Sequence, residues 1–401
     1  METVWGVSSW RPELLRAAPV RVAAAPPQRV SGLEVGQTAF ATPTAGWALV
    51  GGLFGRRSER RLLYTADAGA SWTPQLSWQG SLVGRVTAFD AERAGLVLGL
   101  PEQASEVNGQ PVGDGSGPVA IFAGTEDGGA TWTLGREPRP RQFSGMFHFL
   151  SPRQLWIMIA PPFRYPQKDI ARTADGGATW ATMQAPGDLP VSLVAFSTLT
   201  DGVLVAVDQR HADILWATSD GGDTWTRTPL PPPPVPEYAM TWLTPVVRPG
   251  RSMLLLLRAE RYSQKPAKWA GTHAYYGGGQ TWSGPYRLPM THTGLDFAVV
   301  GGDGRFWAAS GHNLWVADDL AGRWRHQTVP LHGEQLRGVA RDPALAPALT
   351  TEIIADIAPV GDGVIWLTTT HGTALGDIPS GRLFRSEDDG EHWTELTVES
   401  A

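Results

Sequence analysis

Charged and aromatic side chains that could contact a ligand are spread over six stretches of the sequence, each lying between apolar runs. Arginine and lysine bind carboxylates, tyrosine offers a flat face with a hydroxyl, and histidine exchanges a proton near neutral pH. Such a set on one surface could bind a carboxylated sugar or an acidic peptide segment, or form an ordinary polar rim. The candidates are Arg56, Arg57, Arg60, Arg164, Tyr165, Lys168, Arg210, His211, Arg258, Arg261, Tyr262, His312 and His371.

The sequence carries no pattern typical of metal, nucleophilic or phosphate chemistry. There is no cysteine, and the nine histidines include no H-x-x-H or H-E-x-x-H spacing. No G-x-S-x-G elbow occurs, and no helix follows the glycine-rich runs as a phosphate cradle requires. We therefore predict no catalytic residue, no metal site and no cofactor.

A phrase of the form T-x-D-x-G-x-T-W recurs and indicates the elements that position these residues. The Asp carboxylate can accept backbone N–H groups, glycine adopts positive φ without strain, and the Trp offers a large surface for burial. Apolar runs precede each copy, so the phrase predicts a tight turn between two strands. Five copies are well preserved, at Asp67, Gly69 and Trp72; Asp127, Gly129 and Trp132; Asp175, Gly177 and Trp180; Asp220, Gly222 and Trp225; and Asp388, Gly390 and Trp393.

Two eroded copies, ending at Trp282 and Trp324, bring the number of units to seven. Each unit also contains two earlier apolar strands joined by a short polar turn, which makes four strands, A to D, with the phrase at the C–D turn. Four-stranded antiparallel units in this number predict an all-β, seven-bladed β-propeller over residues 33–401, after an N-terminal extension or linker at residues 1–32. The candidate residues fall in the B–C loops, as does a flexible segment from Glu102 to Gly117.

The repeated phrase resembles the Asp-box, or BNR repeat, of the sialidase-like superfamily. This superfamily includes sialidases, sortilin-type receptors, two-propeller xyloglucanases and the photosystem II stability/assembly factor family, and the resemblance covers residues 33 to 398. In these families the box is a structural element of the blade periphery. The assembly-factor type, a single seven-bladed propeller that binds protein partners, is the most similar architecture, so the resemblance implies a binding protein without naming its site residues.

A second interpretation is an exo-glycosidase of the sialidase type. The stretch Phe163-Arg164-Tyr165-Pro166 resembles the F-R-I-P motif that carries a substrate-binding arginine in sialidases. Here two copies of the phrase precede it, whereas the sialidase motif comes before the first box, and no Tyr/Glu nucleophile pair can be placed. We therefore expect non-catalytic recognition of a protein or glycan through the B–C loops, with the glycosidase as the alternative.

Composition limits the partners further. A formal charge of −6 and a pI near 5.9, without a basic stripe, argue against nucleic acid. The sequence contains no run of 18 apolar residues, so we predict no membrane span. We also expect a monomer. Residues 17–29 form an Ala/Pro-rich stretch typical of a linker, from which we expect an exported bacterial protein whose export anchor lies outside this sequence.

Overall fold

The computed structural model describes most of the predicted propeller. The described residues are 20–24, 35–51, 59–79, 81–82, 86–100, 106–112, 119–137, 142–160, 169–186, 191–207, 213–232, 240–247, 252–261, 268–290, 296–331, 352–371 and 381–398. Within them every regular element is a β-strand. No helix among them has the length and apolarity that a membrane crossing requires.

The strands form seven antiparallel sheets, which confirms the predicted all-β, seven-bladed β-propeller with four strands per blade. A short strand β1 (Val20–Ala23) precedes the first blade. Blade 1 consists of β2 (Val35–Phe40), β3 (Gly46–Val50), β4 (Glu59–Thr65) and β5 (Thr73–Gln79). In blade 2, β6 (Ser81–Leu82) and β7 (Thr87–Ala88) pair with β8 (Ala94–Leu100); a small hairpin of β9 (Glu106–Val107) and β10 (Gln110–Pro111) follows, and then β11 (Val119–Thr125) and β12 (Thr131–Arg136).

The five remaining blades are simple four-stranded meanders. Blade 3 contains β13 (Gln142–Phe149), β14 (Leu155–Ala160), β15 (Asp169–Thr173) and β16 (Ala181–Gln184), and blade 4 contains β17 (Val191–Phe196), β18 (Gly202–Val207), β19 (Asp213–Thr218) and β20 (Thr226–Arg227). Blade 5 contains β21 (Met240–Val246), β22 (Met253–Arg261), β23 (Lys268–Gly278) and β24 (Thr281–Arg287). Blade 6 contains β25 (Asp296–Val300), β26 (Phe306–Ser310), β27 (Asn313–Ala317) and β28 (Arg325–Thr328), and blade 7 contains β29 (Glu352–Gly361), β30 (Val364–His371), β31 (Leu383–Ser386) and β32 (Thr394–Leu396).

Contacts divide the chain into two compact units. One contains Gly135–Pro289, which holds blades 3 to 5, and the other contains Val20–Leu134 together with Met290–Ala401. In both units the core lies between neighbouring sheets, because the B strands are buried on both faces. Tryptophans from the B strands and from the repeated phrase are among the largest fully buried side chains.

In each unit, an aromatic stack joins two sheets that lie side by side. Phe196 of blade 4 stacks on Trp156 of blade 3 with ring centroids 4.0 Å apart, and Phe40 of blade 1 stacks on Trp366 of blade 7 at 3.7 Å. The residue opposite Phe196 on the next strand is Gly202, where a Cβ would lie 2.5 Å from the phenyl ring. A glycine at the start of the B strand therefore makes room for the ring.

Part of the predicted N-terminal linker forms regular structure. Val20–Ala23 pairs antiparallel with Thr131–Leu134 as a fifth strand on the outer edge of blade 2. The alternating β-branched residues Val20 and Val22 favour a strand at this point. The predicted boundary at residue 33 lies outside the described residues.

Candidate functional site

The five preserved copies of the phrase fold into the same hydrogen-bonded C–D turn. In the third copy, the Thr173 hydroxyl donates to Asp175 Oδ1 (2.8 Å) and accepts the Gly177 N–H (2.9 Å). Asp175 also accepts the Thr179 N–H (2.8 Å) and hydroxyl (2.6 Å). The other four copies repeat these bonds. The carboxylate is thus fully engaged in shaping its own turn.

These bonds keep the turn carboxylates ionised. The hydroxyl and backbone N–H of Ser71 lower the pKa of Asp67, because both donate to the charged form. In the last copy, the backbone N–H and ring of His392 lower the pKa of Asp388 to about 2. The hydrogen bond to Asp388 in turn raises the pKa of His392. A carboxylate in this state is a poor general acid near neutral pH.

The same turns pack against the D strand of the preceding blade. A Cβ on Gly222 would lie 2.7 Å from Met183 Sδ, and one on Gly390 would lie 2.5 Å from Gln327 Oε1. The Gln327 side chain also donates to the carbonyl oxygen of Asp389 in the same turn (2.9 Å). The C–D corners are therefore structural contacts between blades.

Turn lengths distinguish the two ends of each blade. The A–B turns are short, with five residues each in blades 1, 2, 3, 4 and 6, at 41–45, 89–93, 150–154, 197–201 and 301–305, six in blade 5 at 247–252 and two in blade 7 at 362–363. The B–C connections leave the opposite end of each sheet and vary from two residues in blade 6 to 18 in blade 2, at 51–58, 101–118, 161–168, 208–212, 262–267, 311–312 and 372–382. Variation in the length of the connections is thus concentrated at the end of each blade where the candidate residues were predicted.

Most of those candidates lie outside the described residues. This group comprises Arg56, Arg57, Arg164, Tyr165, Lys168, Arg210, His211 and Tyr262. Arg261 and His371, predicted in B–C loops, are the last residues of β22 and β30, at the B–C end of their blades. Arg258 lies three residues before Arg261 in β22 and is partly buried.

Two candidates occupy environments that differ from an exposed loop. The Arg60 side chain in β4 is 1% exposed, and burial lowers its pKa. Its neighbour Arg61 forms an ion pair with Glu59 (2.8 Å). His312 occupies a two-residue turn. Its carbonyl oxygen accepts a hydrogen bond from the Val329 N–H (2.9 Å). The B–C connection of blade 6 is thus a tight turn with no room for a loop.

Part of the segment from Glu102 to Gly117, at residues 106–112, packs on blade 1. Its hairpin, β9 and β10, pairs with β5 through Trp78 and Val107. The Asn108 side chain accepts the Ser77 N–H (2.7 Å) and donates to the Gln75 carbonyl oxygen (2.8 Å). An Asn-Gly pair at the hairpin tip, with positive φ at Asn108, is the sequence signal for this turn.

Sequence reasoning missed a buried charged network at the B–C end of blade 7. Glu352 begins β29 with no exposed surface and accepts hydrogen bonds from the Thr369 hydroxyl (2.5 Å) and Arg382 Nε (2.8 Å). Arg382 also binds Glu395 (2.9 Å), and the Arg382 N–H donates to the Thr369 hydroxyl (3.0 Å). These bonds to Glu352 raise the pKa of Arg382. The network fixes the point where the 372–382 connection re-enters the sheet.

One group of described side chains has atoms close enough to share a metal ion. Asp388, Glu391 and His392 place one ligand atom each within 4.8 Å of one another, and all three are exposed. Asp388 already accepts the Ser386 hydroxyl (2.8 Å) and contacts His392 Nδ1 (2.6 Å). An ion here would have to replace bonds that shape the turn.

A cleft of about 330 Å³ opens between blades 3 and 4, at the end of the A–B and C–D turns. It is lined by Gln154, Trp156, Arg172, Thr173, Ala174, Leu199, Thr200 and Asp220. Leu199, at the apex of an A–B turn, is 48% exposed. None of the predicted candidates lies in it.

No protein-family model matches the chain, and the search of curated proteins found no match. The chain is similar to the solved structure of YCF48 bound to D1 peptide, with 15% identity over 96% of this chain and 87% of that one, and a TM-score of 0.39. It is similar to the GH74 enzyme of Niastella koreensis, with 13% identity over 90% of this chain and 59% of that one (TM-score 0.46). A prolyl endopeptidase structure aligns at 7% identity over 92% of this chain and 50% of that one, with a TM-score of 0.52, and this likeness is one of fold.

Proposed function

We propose that this chain is a non-catalytic Asp-box propeller of the assembly-factor kind, which binds a protein or a glycan through the B–C end of its blades. The observation that carries the proposal is the contrast between the turns. Five A–B turns have one length and the preserved C–D turns have one hydrogen-bonding pattern, whereas the B–C connections range from two to 18 residues. Recognition elements concentrate in variable loops held by a rigid scaffold.

The chemistry at the B–C end favours an anionic ligand. The sequence places arginine or lysine in the connections of blades 1, 3, 4 and 5. Guanidinium groups bind carboxylates with paired hydrogen bonds, so a carboxylated sugar or an acidic peptide segment fits such a surface. The Asp carboxylates of the C–D turns lie at the other end of each blade and are engaged in their own turns.

Two arginines of blade 3 provide a matched test. Arg164 belongs to the B–C connection, whereas Arg153 is exposed in the A–B turn of the same blade. The purified chain is screened against immobilised sialylated and uronic-acid glycans and a library of acidic peptides. Arg164→Ala should weaken capture at least tenfold, and Arg153→Ala should leave it unchanged. Equal losses for the two variants, or no capture of any probe, would refute the proposal.

A turnover assay separates binding from the glycosidase alternative. Fluorogenic sialosides and other glycosides are incubated with the same two variants and the parent chain. We expect no turnover from any of them. Turnover by the parent chain that Arg164→Ala abolishes would establish an exo-glycosidase of the sialidase type and overturn the binding function.

We also propose that the protein is exported from a bacterial cell and is monomeric. Its Ala/Pro-rich stretch at residues 17–29 is typical of a segment between an export anchor and a folded domain. Cell fractionation of the native host and sedimentation of the purified chain test the two statements. Recovery in the cytoplasmic fraction, or a stable dimer, would contradict them.

A further inference from the structure

The interface between blades 7 and 1 contains an arginine that is paired with a nearby carboxylate of the same strand end. Arg385 lies opposite Trp366 across the sheet, with its guanidinium carbon 5.3 Å from the ring centroid, and Phe40 of blade 1 stacks on the same ring. Arg385 Nη2 donates to the Pro43 carbonyl oxygen in the A–B turn of blade 1 (3.4 Å). Arg385 Nη1 forms an ion pair with Glu387, two residues further along the chain.

The interface between blades 3 and 4 has the same plan without that glutamate. Arg172 lies opposite Trp156 across the sheet, and Phe196 of blade 4 stacks on the Trp156 ring. Arg172 Nη1 donates to the Gly221 carbonyl oxygen in the C–D turn of blade 4 (3.5 Å). Two residues after Arg172, an exposed Ala174 stands where blade 7 has the glutamate. The two interfaces therefore differ in the carboxylate beside the arginine.

The cleft of about 330 Å³ between blades 3 and 4 lies at the place of this difference. Arg172 and Ala174 line it on the side of blade 3, and Leu199 lines it on the side of blade 4. Leu199 is 48% exposed, and no other large apolar side chain in the described ranges is as open to solvent. A guanidinium beside an exposed aliphatic wall fits a ligand that joins a carboxylate to an aliphatic group.

Two aspartates of blade 4 lie near the cleft, and neither replaces the missing glutamate. Asp220 accepts the Thr218 hydroxyl (2.8 Å), the Thr224 N–H (2.9 Å) and the Thr224 hydroxyl (2.6 Å), all within its own turn. Asp223 Oδ1 has no hydrogen-bond partner in the described part of the chain. Burial lowers the pKa of Arg172, and the charge of Asp223 opposes that shift. Because this charge also repels an anion, the aliphatic contact must contribute to affinity.

We propose that the cleft between blades 3 and 4 is a docking point for a segment of a partner protein in which a glutamate adjoins an aliphatic residue. The carboxylate pairs with Arg172, as Glu387 pairs with Arg385, and the aliphatic side chain packs on Leu199. A protein segment is favoured over a free carboxylate, because an exposed ion pair alone contributes little to affinity. The site lies at the A–B and C–D end of the blades, so it does not depend on binding at the B–C end.

Disulfide capture tests the site, because the chain has no cysteine of its own. Thr200→Cys places one thiol on the exposed rim of the cleft. The variant is equilibrated at a fixed concentration of 2-mercaptoethanol with the peptide acetyl-Glu-Leu-Gly-Gly-Cys-amide, and intact-protein mass spectrometry gives the captured fraction. We expect a capture constant about fivefold or more above the constants for the matched peptides in which Gln replaces Glu or Gly replaces Leu.

Reciprocal variants use the difference between the two interfaces. Ala174→Glu in the Thr200→Cys chain supplies the carboxylate internally, so capture should fall to the level of the Gln peptide, and Arg172→Gln should have the same effect. Thr44 is the equivalent rim residue beside blade 7, since its carbonyl oxygen accepts the matching N–H of a C–D turn (2.8 Å). Thr44→Cys should capture little peptide, and adding Glu387→Ala should raise its capture about threefold or more.

Four outcomes would overturn the proposal. Thr200→Cys could capture the Glu and Gln peptides equally, Ala174→Glu or Arg172→Gln could leave capture unchanged, or Glu387→Ala could give no gain beside blade 7. Equal capture of the Leu and Gly peptides would overturn it in favour of a site for small carboxylates. Variants are compared only at an unchanged melting temperature, so that a loss of capture reports the cleft and not the fold.

Discussion

Aspartate serves a purely local purpose in the repeated phrase. Each of the five conserved carboxylates accepts bonds from the residues two before and four after it, as Asp127 does with Thr125 and Thr131. The sequence predicted these turns because the hydrogen-bonding partners lie within eight residues. By contrast, Glu352 and Arg382 lie 30 residues apart, and only the sheet brings them together. No local pattern indicated that network.

Asp175→Ala tests the contribution of the phrase to stability. The substitution removes three hydrogen bonds to a charged acceptor, and we expect a loss of about 2–3 kcal/mol in the free energy of unfolding. Asp319→Ala in an eroded copy is the matched control, since Asp319 accepts one backbone N–H there, from Ala321 (2.8 Å), and should cost less than about 1 kcal/mol. Urea denaturation monitored by tryptophan fluorescence measures both. Equal losses would show that the extra bonds add nothing.

His148 links two blades through a hydrogen bond from its imidazole to the backbone of the next blade. Its Nε2–H donates to the Phe196 carbonyl oxygen (2.6 Å), and burial lowers the pKa of the imidazole to about 4. The unfolded chain binds a proton at this group near its usual pKa of about 6.5, whereas the folded chain resists it. The stabilisation is therefore complete above pH 6.5 and is lost as the pH falls towards 4.

The pH dependence of unfolding checks the role of His148. Between pH 7 and 4, the parent chain should lose at most about 3 kcal/mol through this group, whereas His148→Gln should show a flatter profile over that window. The turn aspartates are the same in both chains, so any loss they contribute near their usual pKa of 3.8 cancels in the comparison. Urea midpoints at half-unit pH intervals give both curves. Parallel curves would mean that another group titrates.

At the scale of elements, the phrase predicts more than a turn. Its glycines allow the turn to approach the preceding D strand, and the five-residue A–B turns keep successive sheets in the same relation. Sequence reasoning therefore identified the blades, their strand order and the C–D corners correctly. The additions β1 and β9–β10 escaped it, because a two-residue or four-residue edge strand has too few residues to show a period.

Gly135→Ala tests the close approach of D strand and turn. A Cβ at Gly135 in β12 would lie 1.8 Å from the Gly176 carbonyl oxygen, a backbone atom with little freedom to move. We expect a loss of about 3 kcal/mol, at the upper end of overpacking effects. Gly278→Ala is the control, since no atom lies within 4 Å of its added Cβ. Thermal unfolding of the pair gives the comparison, and equal melting temperatures would show that the turn can shift away.

At the scale of the whole molecule, the first and last blades meet in side-chain packing. Blade 1 takes all four strands from the N-terminal part of the chain and blade 7 takes all four from the C-terminal part. The contact between them includes a core containing Val35, Phe40 and Trp366, Leu396 against Gly69, and a backbone bridge from Val35 to Gly381. The sequence predicted seven units, but which residues join the first to the last depends on the tertiary arrangement.

Kinetics distinguish this contact from one between neighbours in sequence. The Phe40–Trp366 stack joins the first and last blades, so its loop-closure entropy is large and it should form late in folding. The Phe196–Trp156 stack has the same geometry between consecutive blades. Phe40→Ala should therefore raise the unfolding rate about a hundredfold with little change in the folding rate, for a loss of about 3 kcal/mol. Phe196→Ala should divide a similar loss between both rates, and stopped-flow folding and unfolding in urea resolves the two. A folding rate slowed more by Phe40→Ala than by Phe196→Ala would show that the contact between first and last blades forms early.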